Sequence, residues 1–118
     1  VDYASAHLEH VSFLKCEAKK NGGGGACVSN AQVANLIGVS FTSCSSYTNG
    51  GGFYTRYASF NLSSCSFIDC VADEEGGGMY SPGNSGTTYQ LRHRLRAVKN
   101  SKFIGCLAGS RGGGISID

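Results

Sequence analysis

Three kinds of residue in this 118-residue chain carry the chemistry to act on or hold something: eight carboxylates, six thiols and a short run of arginines. Cleavage of a polysaccharide on a β-scaffold needs two or three carboxylates converging on one face, with calcium or a basic partner. Of Asp2, Glu9, Glu17, Asp69, Asp73, Glu74, Glu75 and Asp118, only Asp73-Glu74-Glu75 cluster in sequence. That cluster reads as a solvated turn rather than a calcium site. His7, His10 and His93 share no common setting with a serine and an acid, so no nucleophilic triad is assembled. The glycine runs lack the Gly-Lys-Ser/Thr ending of a phosphate-binding loop. No Cys-x-x-Cys pair with a second such pair exists, which argues against a zinc site. The expectation is therefore a non-enzymatic chain with no catalytic residue, metal or cofactor.

The arginines are the best candidates for a ligand contact. Tyr89 to Val98 alternates with period two, with Leu91, His93, Leu95 and Ala97 on one face and Arg92, Arg94 and Arg96 on the other. Three guanidiniums on one side of a strand can grip an acidic glycan or an acidic partner surface. A charged strand face that resists edge pairing is the alternative. Asn61-Leu62-Ser63 is an N-glycosylation sequon, with meaning only for a secreted chain.

The elements that must position these residues are written in the chain four times. Phe13, Phe41, Phe67 and Phe103 are each followed three residues later by Cys16, Cys44, Cys70 or Cys106. After five intervening residues come Gly22-Gly23-Gly24, Gly50-Gly51-Gly52, Gly76-Gly77-Gly78 and Gly112-Gly113-Gly114. Leu8, Leu36, Leu62 and Val98 precede each phenylalanine by five residues, and small Ala18, Ser46, Ala72 and Ala108 follow each cysteine by two. Successive phenylalanines are 28, 26 and 36 residues apart. The segments show short period-two alternation and no helical spacing, so each unit reads as two or three brief strands. A unit this short buries a core only by stacking on its neighbours.

The predicted fold is an all-β, right-handed parallel β-helix of about four coils, one coil per repeat. It forms a single segment over 1–118 with repeat cores at 8–28, 36–57, 62–80 and 98–117. The extra length before the fourth copy, 81–97, holds the only proline and reads as a loop thrown out from a corner. Stacking makes a phenylalanine ladder, a cysteine ladder and a glycine column at Gly23, Gly51, Gly77 and Gly113. The ladder cysteines are expected to be reduced, because in-register side chains point the same way. Cys65 and Cys70, across one bend, form the single candidate disulfide.

The bulk numbers fit this reading. Eighteen glycines against one proline and no tryptophan disfavour helices, since glycine costs about 1 kcal/mol per helical position. A net charge of +2 does not by itself imply nucleic acid or a membrane surface, and no apolar run is long enough to span a bilayer. The threonines fall at different repeat positions, so the flat threonine column of an ice-binding β-helix is absent.

The unit Cys65-Ser-Phe67-Ile-Asp-Cys70-Val-Ala72-Asp-Glu-Glu-Gly76-Gly77-Gly78-Met79-Tyr80 resembles the repeat of the polymorphic outer membrane proteins. In that family Gly-Gly-Ala-Ile/Leu alternates with Phe-x-x-Asn. Here cysteine replaces the asparagine and a third glycine the alanine, as in eukaryotic relatives from protists and algae. The resemblance covers nearly the whole chain except 81–97. It implies a right-handed β-helix exposed on a cell surface in a structural or adhesive role. The expected function is thus a structural or adhesive extracellular module, with further coils of a longer chain or stacked copies of itself as partners. A polysaccharide-binding or polysaccharide-degrading β-helix is the alternative.

Overall fold

The computed structural model describes residues 5–20, 22–29, 33–56, 59–82 and 96–117. Sixteen strands build four coils. The first coil contains β1 (Ala6–Glu9), β2 (Ser12–Leu14), β3 (Glu17–Ala18) and β4 (Ala26–Ser29). The second contains β5 (Val33–Ile37), β6 (Ser40–Thr42), β7 (Ser45–Ser46) and β8 (Phe53–Arg56). The third contains β9 (Ser59–Ser63), β10 (Ser66–Ile68), β11 (Val71–Ala72) and β12 (Met79–Ser81). The fourth contains β13 (Arg96–Lys99), β14 (Lys102–Ile104), β15 (Leu107–Ala108) and β16 (Ile115–Ile117). Equivalent strands stack into four parallel sheets of four strands each, which makes the fold a parallel β-helix.

Each coil has four strands where two or three were expected. Two tight corners account for the difference. One residue in the left-handed region sits at each: His10, Gly38, Ser64 and Asn100 at the first, and Lys15, Ser43, Asp69 and Gly105 at the second. Non-glycine residues there cost roughly 1–2 kcal/mol each. In the first three coils the corners persist because the backbone amide of each bonds to the next coil. Ser43 N donates to Ile68 O at 2.8 Å and Asp69 N to Ile104 O at 2.8 Å.

The inward columns are those of the repeat. Leu8, Leu36, Leu62 and Val98 pair in register in the first sheet. The phenylalanines do so in the second. Their rings stack with centroids 4.9, 4.7 and 4.6 Å apart and planes within 8° of parallel. That spacing is the strand separation of a parallel sheet, about 4.8 Å, so backbone pairing and ring stacking reinforce one another. Phe41, Phe53, Phe60 and Phe67 are fully buried. Thr55 lies in the same interior, paired with Val28 of the preceding coil. Its Oγ1 has no hydrogen-bond partner, alone among the described buried side chains.

The glycine column holds neighbouring coils at backbone contact. A Cβ on Gly51 would collide with the carbonyl oxygens of Gly77 and Val71, and one on Gly77 with those of Gly113 and Leu107. In the first coil the equivalent residue is Gly24, which meets the carbonyls of Gly51 and Ser45, not the expected Gly23. The register Ala26↔Phe53 sets Gly23-Gly24-Gly25 against Gly50-Gly51-Gly52, and Gly23 shares the positive φ of Gly50, Gly76 and Gly112. The first coil therefore carries one more residue between Ala18 and its glycine turn than the others do. The run of four glycines, 22–25, conceals the slip in the sequence.

The expected loop 81–97 is shorter at both ends. Ser81 is buried and closes β12, while Arg96 and Ala97 open β13. Among the described residues, no helix is long and apolar enough to cross a membrane.

Candidate functional site

The thiols form a ladder at the second corner. Cys44 Sγ donates to Phe13 O at 3.5 Å, Cys70 Sγ to Phe41 O at 3.3 Å and Cys106 Sγ to Phe67 O at 3.3 Å. Each cysteine thus reaches back to the phenylalanine carbonyl of the preceding coil. Hydrogen bonding to the Cys106 and Cys44 thiols, with burial added, pushes the pKa of Cys70 well above its ordinary value. All six cysteines are free. The Cys65–Cys70 bridge is not formed, and the two thiols point at different backbone atoms. Cys65 Sγ donates to Leu36 O at 3.3 Å, in the column that Val39 occupies one coil earlier. Cys44, Cys65 and Cys70 are buried packing positions, and Cys16 and Cys106 are partly buried.

The acidic turn divides. Glu75, expected in a solvated turn, has a side chain only 17% exposed. Its carboxylate accepts from Arg111 Nη2 at 2.7 Å and from Ser116 Oγ at 3.2 Å. Its amide donates to Asn49 Oδ1 at 2.9 Å. Glu75 therefore ties the second, third and fourth coils together. Asp73 and Glu74 remain on the surface, with Glu74 N bonded to Thr48 O at 2.8 Å. Among the described residues, no group of three or more His, Cys, Asp or Glu side chains is placed to hold a metal ion.

Asn61 is exposed on the outer face of the first sheet, where its Nδ2 donates to Asn35 Oδ1 at 3.1 Å. Arg92 and Arg94 lie outside the described residues. The backbone of Arg96 pairs with Phe60 at the start of β13, and its side chain also lies outside the described set.

A concave site that the sequence did not announce lies on the outer face of the fourth sheet. Lys20, Gly22, Cys27, Ser29, Thr48, Asn49, Tyr54, Arg56 and Glu74 enclose a groove of about 400 Å³. Two structural facts create it. Cys27, Tyr54, Tyr80 and Ser116 share one outward column, so a small residue precedes Tyr54. The extra residue of the first coil falls in the turn that carries Lys20 and Gly22. A Cβ on Gly22 would strike the Tyr54 ring, so that turn is packed against the aromatic. Tyr54 in turn contacts Tyr80, with centroids 5.7 Å apart.

The groove carries two cations, one carboxylate, several hydrogen-bonding groups and one aromatic. Asn49 Oδ1 is committed to the amide of Glu75, which leaves its Nδ2 as a donor. The lining residues come from three coils. Lys20, Thr48 and Glu74 hold one repeat position, as do Cys27 and Tyr54, and Ser29 and Arg56, but their residue types differ from coil to coil, so no motif marks them in the sequence.

No family model, curated protein or solved structure matches this chain.

Proposed function

We propose that this chain is a non-enzymatic structural or adhesive module of an extracellular or cell-surface protein, stacked on further coils of a longer chain or on copies of itself. The observation that carries the reading is the sameness of the coil junctions. Cysteine-to-phenylalanine bonds and ring stacks recur at all three junctions. A solenoid grows by adding equivalent units, and its terminal faces associate unless covered. The likeness of the Phe-x-x-Cys…Gly-Gly-Gly unit to polymorphic outer membrane protein repeats supports the surface assignment, as does the outward, exposed Asn61. The described carboxylates favour a structural role, since Glu75 is engaged in joining coils.

Antibody against the chain, applied to intact and permeabilised source cells, tests the location. Labelling of intact cells is expected, and labelling only after permeabilisation would overturn the surface reading. Sedimentation of the isolated chain tests the stacking. Discrete linear multiples that grow with concentration are expected, whereas a monomer at all concentrations would remove self-stacking.

A further inference from the structure

We propose that the groove between the Lys20–Gly22 turn and β8 is a binding site for an acidic oligosaccharide, a sugar segment bearing carboxylate or sulfate. The site is distinct from the Arg92/Arg94/Arg96 run. The proposal deepens the adhesive reading by naming its ligand class, and it is tested separately from cellular location.

The location is informative. The strands stack in register throughout, and the coils differ in length at their connections: by one residue before β4, by one between β4 and β5, and by the long stretch before β13. The first of these differences falls in the turn whose Gly22 packs against the Tyr54 ring. That turn forms one wall of a concave surface whose floor is a half-buried aromatic.

The chemistry of the lining selects the ligand. Lys20 lies in the turn that leads into the sheet, and Arg56 ends β8. Two cations lining one groove suit a ligand with repeated negative charge. Glu74, on the turn side, would repel a compact phosphate cluster but accepts hydrogen bonds from hydroxyls. Thr48, Ser29 and Asn49 add neutral donors and acceptors. The apolar component is a single tyrosine, too small for an apolar peptide anchor and sufficient for the C–H face of a pyranose. Hydroxyls, an apolar face and anionic groups occur together in an acidic sugar.

Cys27 provides a local reporter, because it lines the groove and is the exposed one of the six cysteines. Oligogalacturonate, a sulfated galactan oligomer and a neutral galactan oligomer of equal length are titrated against the full chain by calorimetry. Alkylation of Cys27 is followed by mass spectrometry at each concentration. One or both acidic probes are expected to bind saturably and to slow Cys27 alkylation along the same curve; which of them does so identifies carboxylate or sulfate as the recognised group. Lys20→Ala and Arg56→Gln are expected to weaken binding about tenfold each, as for hydrogen bonds to charged groups. Lys102→Ala, on β14 of a different sheet, is expected to change nothing. The proposal is overturned if neither acidic probe binds or if the neutral oligomer binds equally well. It is also overturned if acidic binding survives Lys20→Ala and Arg56→Gln but is lost when Arg92, Arg94 and Arg96 are changed to Ala. That last outcome would move the ligand to the arginine run while leaving the adhesive reading intact.

Discussion

The thiol of Cys70 donates to the carbonyl oxygen of Phe41 at 3.3 Å, across 29 residues of sequence and a single coil of the fold. That contact explains why phenylalanine and cysteine keep a fixed separation. The ring fills the column, and the thiol three residues later closes the corner against the preceding ring's own backbone. A thiol is a weak donor, so packing and exclusion of water contribute more than the bond itself.

The buried Cys70 thiol adds a dependence of stability on alkaline pH. The folded chain keeps the Cys70 proton above the ordinary thiol value of 9.0, where the unfolded chain releases it. Below that pH both states hold the proton and this contribution is constant. Above it the unfolded state binds fewer protons, so stability falls as pH rises. Urea unfolding between pH 8 and pH 10.5, a window set around the thiol range of about 8.5–9, is expected to show this decline. In Cys70→Ala the slope is expected to be shallower, and equal slopes in both proteins would refute the assignment.

The glycine column separates close approach from mere flexibility. Gly77→Ala forces a methyl into the carbonyls of Gly113 and Leu107 and is expected to cost at least about 3 kcal/mol. At Gly113 the added carbon would meet Cys106 O at 2.9 Å, with no further coil beyond it among the described residues. There the expected cost is about 1 kcal/mol. Denaturant midpoints of the two variants give the comparison, and equal losses would mean that backbone contact is not what the glycines serve.

Thr55 offers a gain instead. Its Oγ1 is buried without a partner, and valine has nearly the same shape without the stranded hydroxyl. Thr55→Val is expected to raise stability by about 1 kcal/mol, seen as a higher urea midpoint with an unchanged slope. A destabilised variant would show that the hydroxyl is satisfied in solution.

Much of the fold was legible because stacking imposes residue type on position. Phe13, Phe41, Phe67 and Phe103 must all be large, and Ala18, Ser46, Ala72 and Ala108 must all be small, so the period shows in the letters. The corners did not show. His10, Gly38, Ser64 and Asn100 share a backbone conformation and almost no chemistry, so the fourth strand of each coil was missed. The one-residue slip of the first coil was hidden because four consecutive glycines fit two alignments equally well. The groove followed from that slip and was equally invisible. The burial of Glu75 is not legible locally, because its partners, Arg111 and Ser116, are 36 and 41 residues away.

The central claim is that each coil junction is an equivalent, in-register interface able to accept another coil. Inserting a second copy of residues 41–66 directly after Ser66 adds one 26-residue period and nothing else. The enlarged chain is expected to remain all-β by circular dichroism and to unfold cooperatively. Its urea slope should rise by about a quarter, in proportion to the surface buried, with a midpoint no lower than that of the parent. An enlarged chain that aggregates, loses its β signal or keeps the parent's slope would contradict the claim.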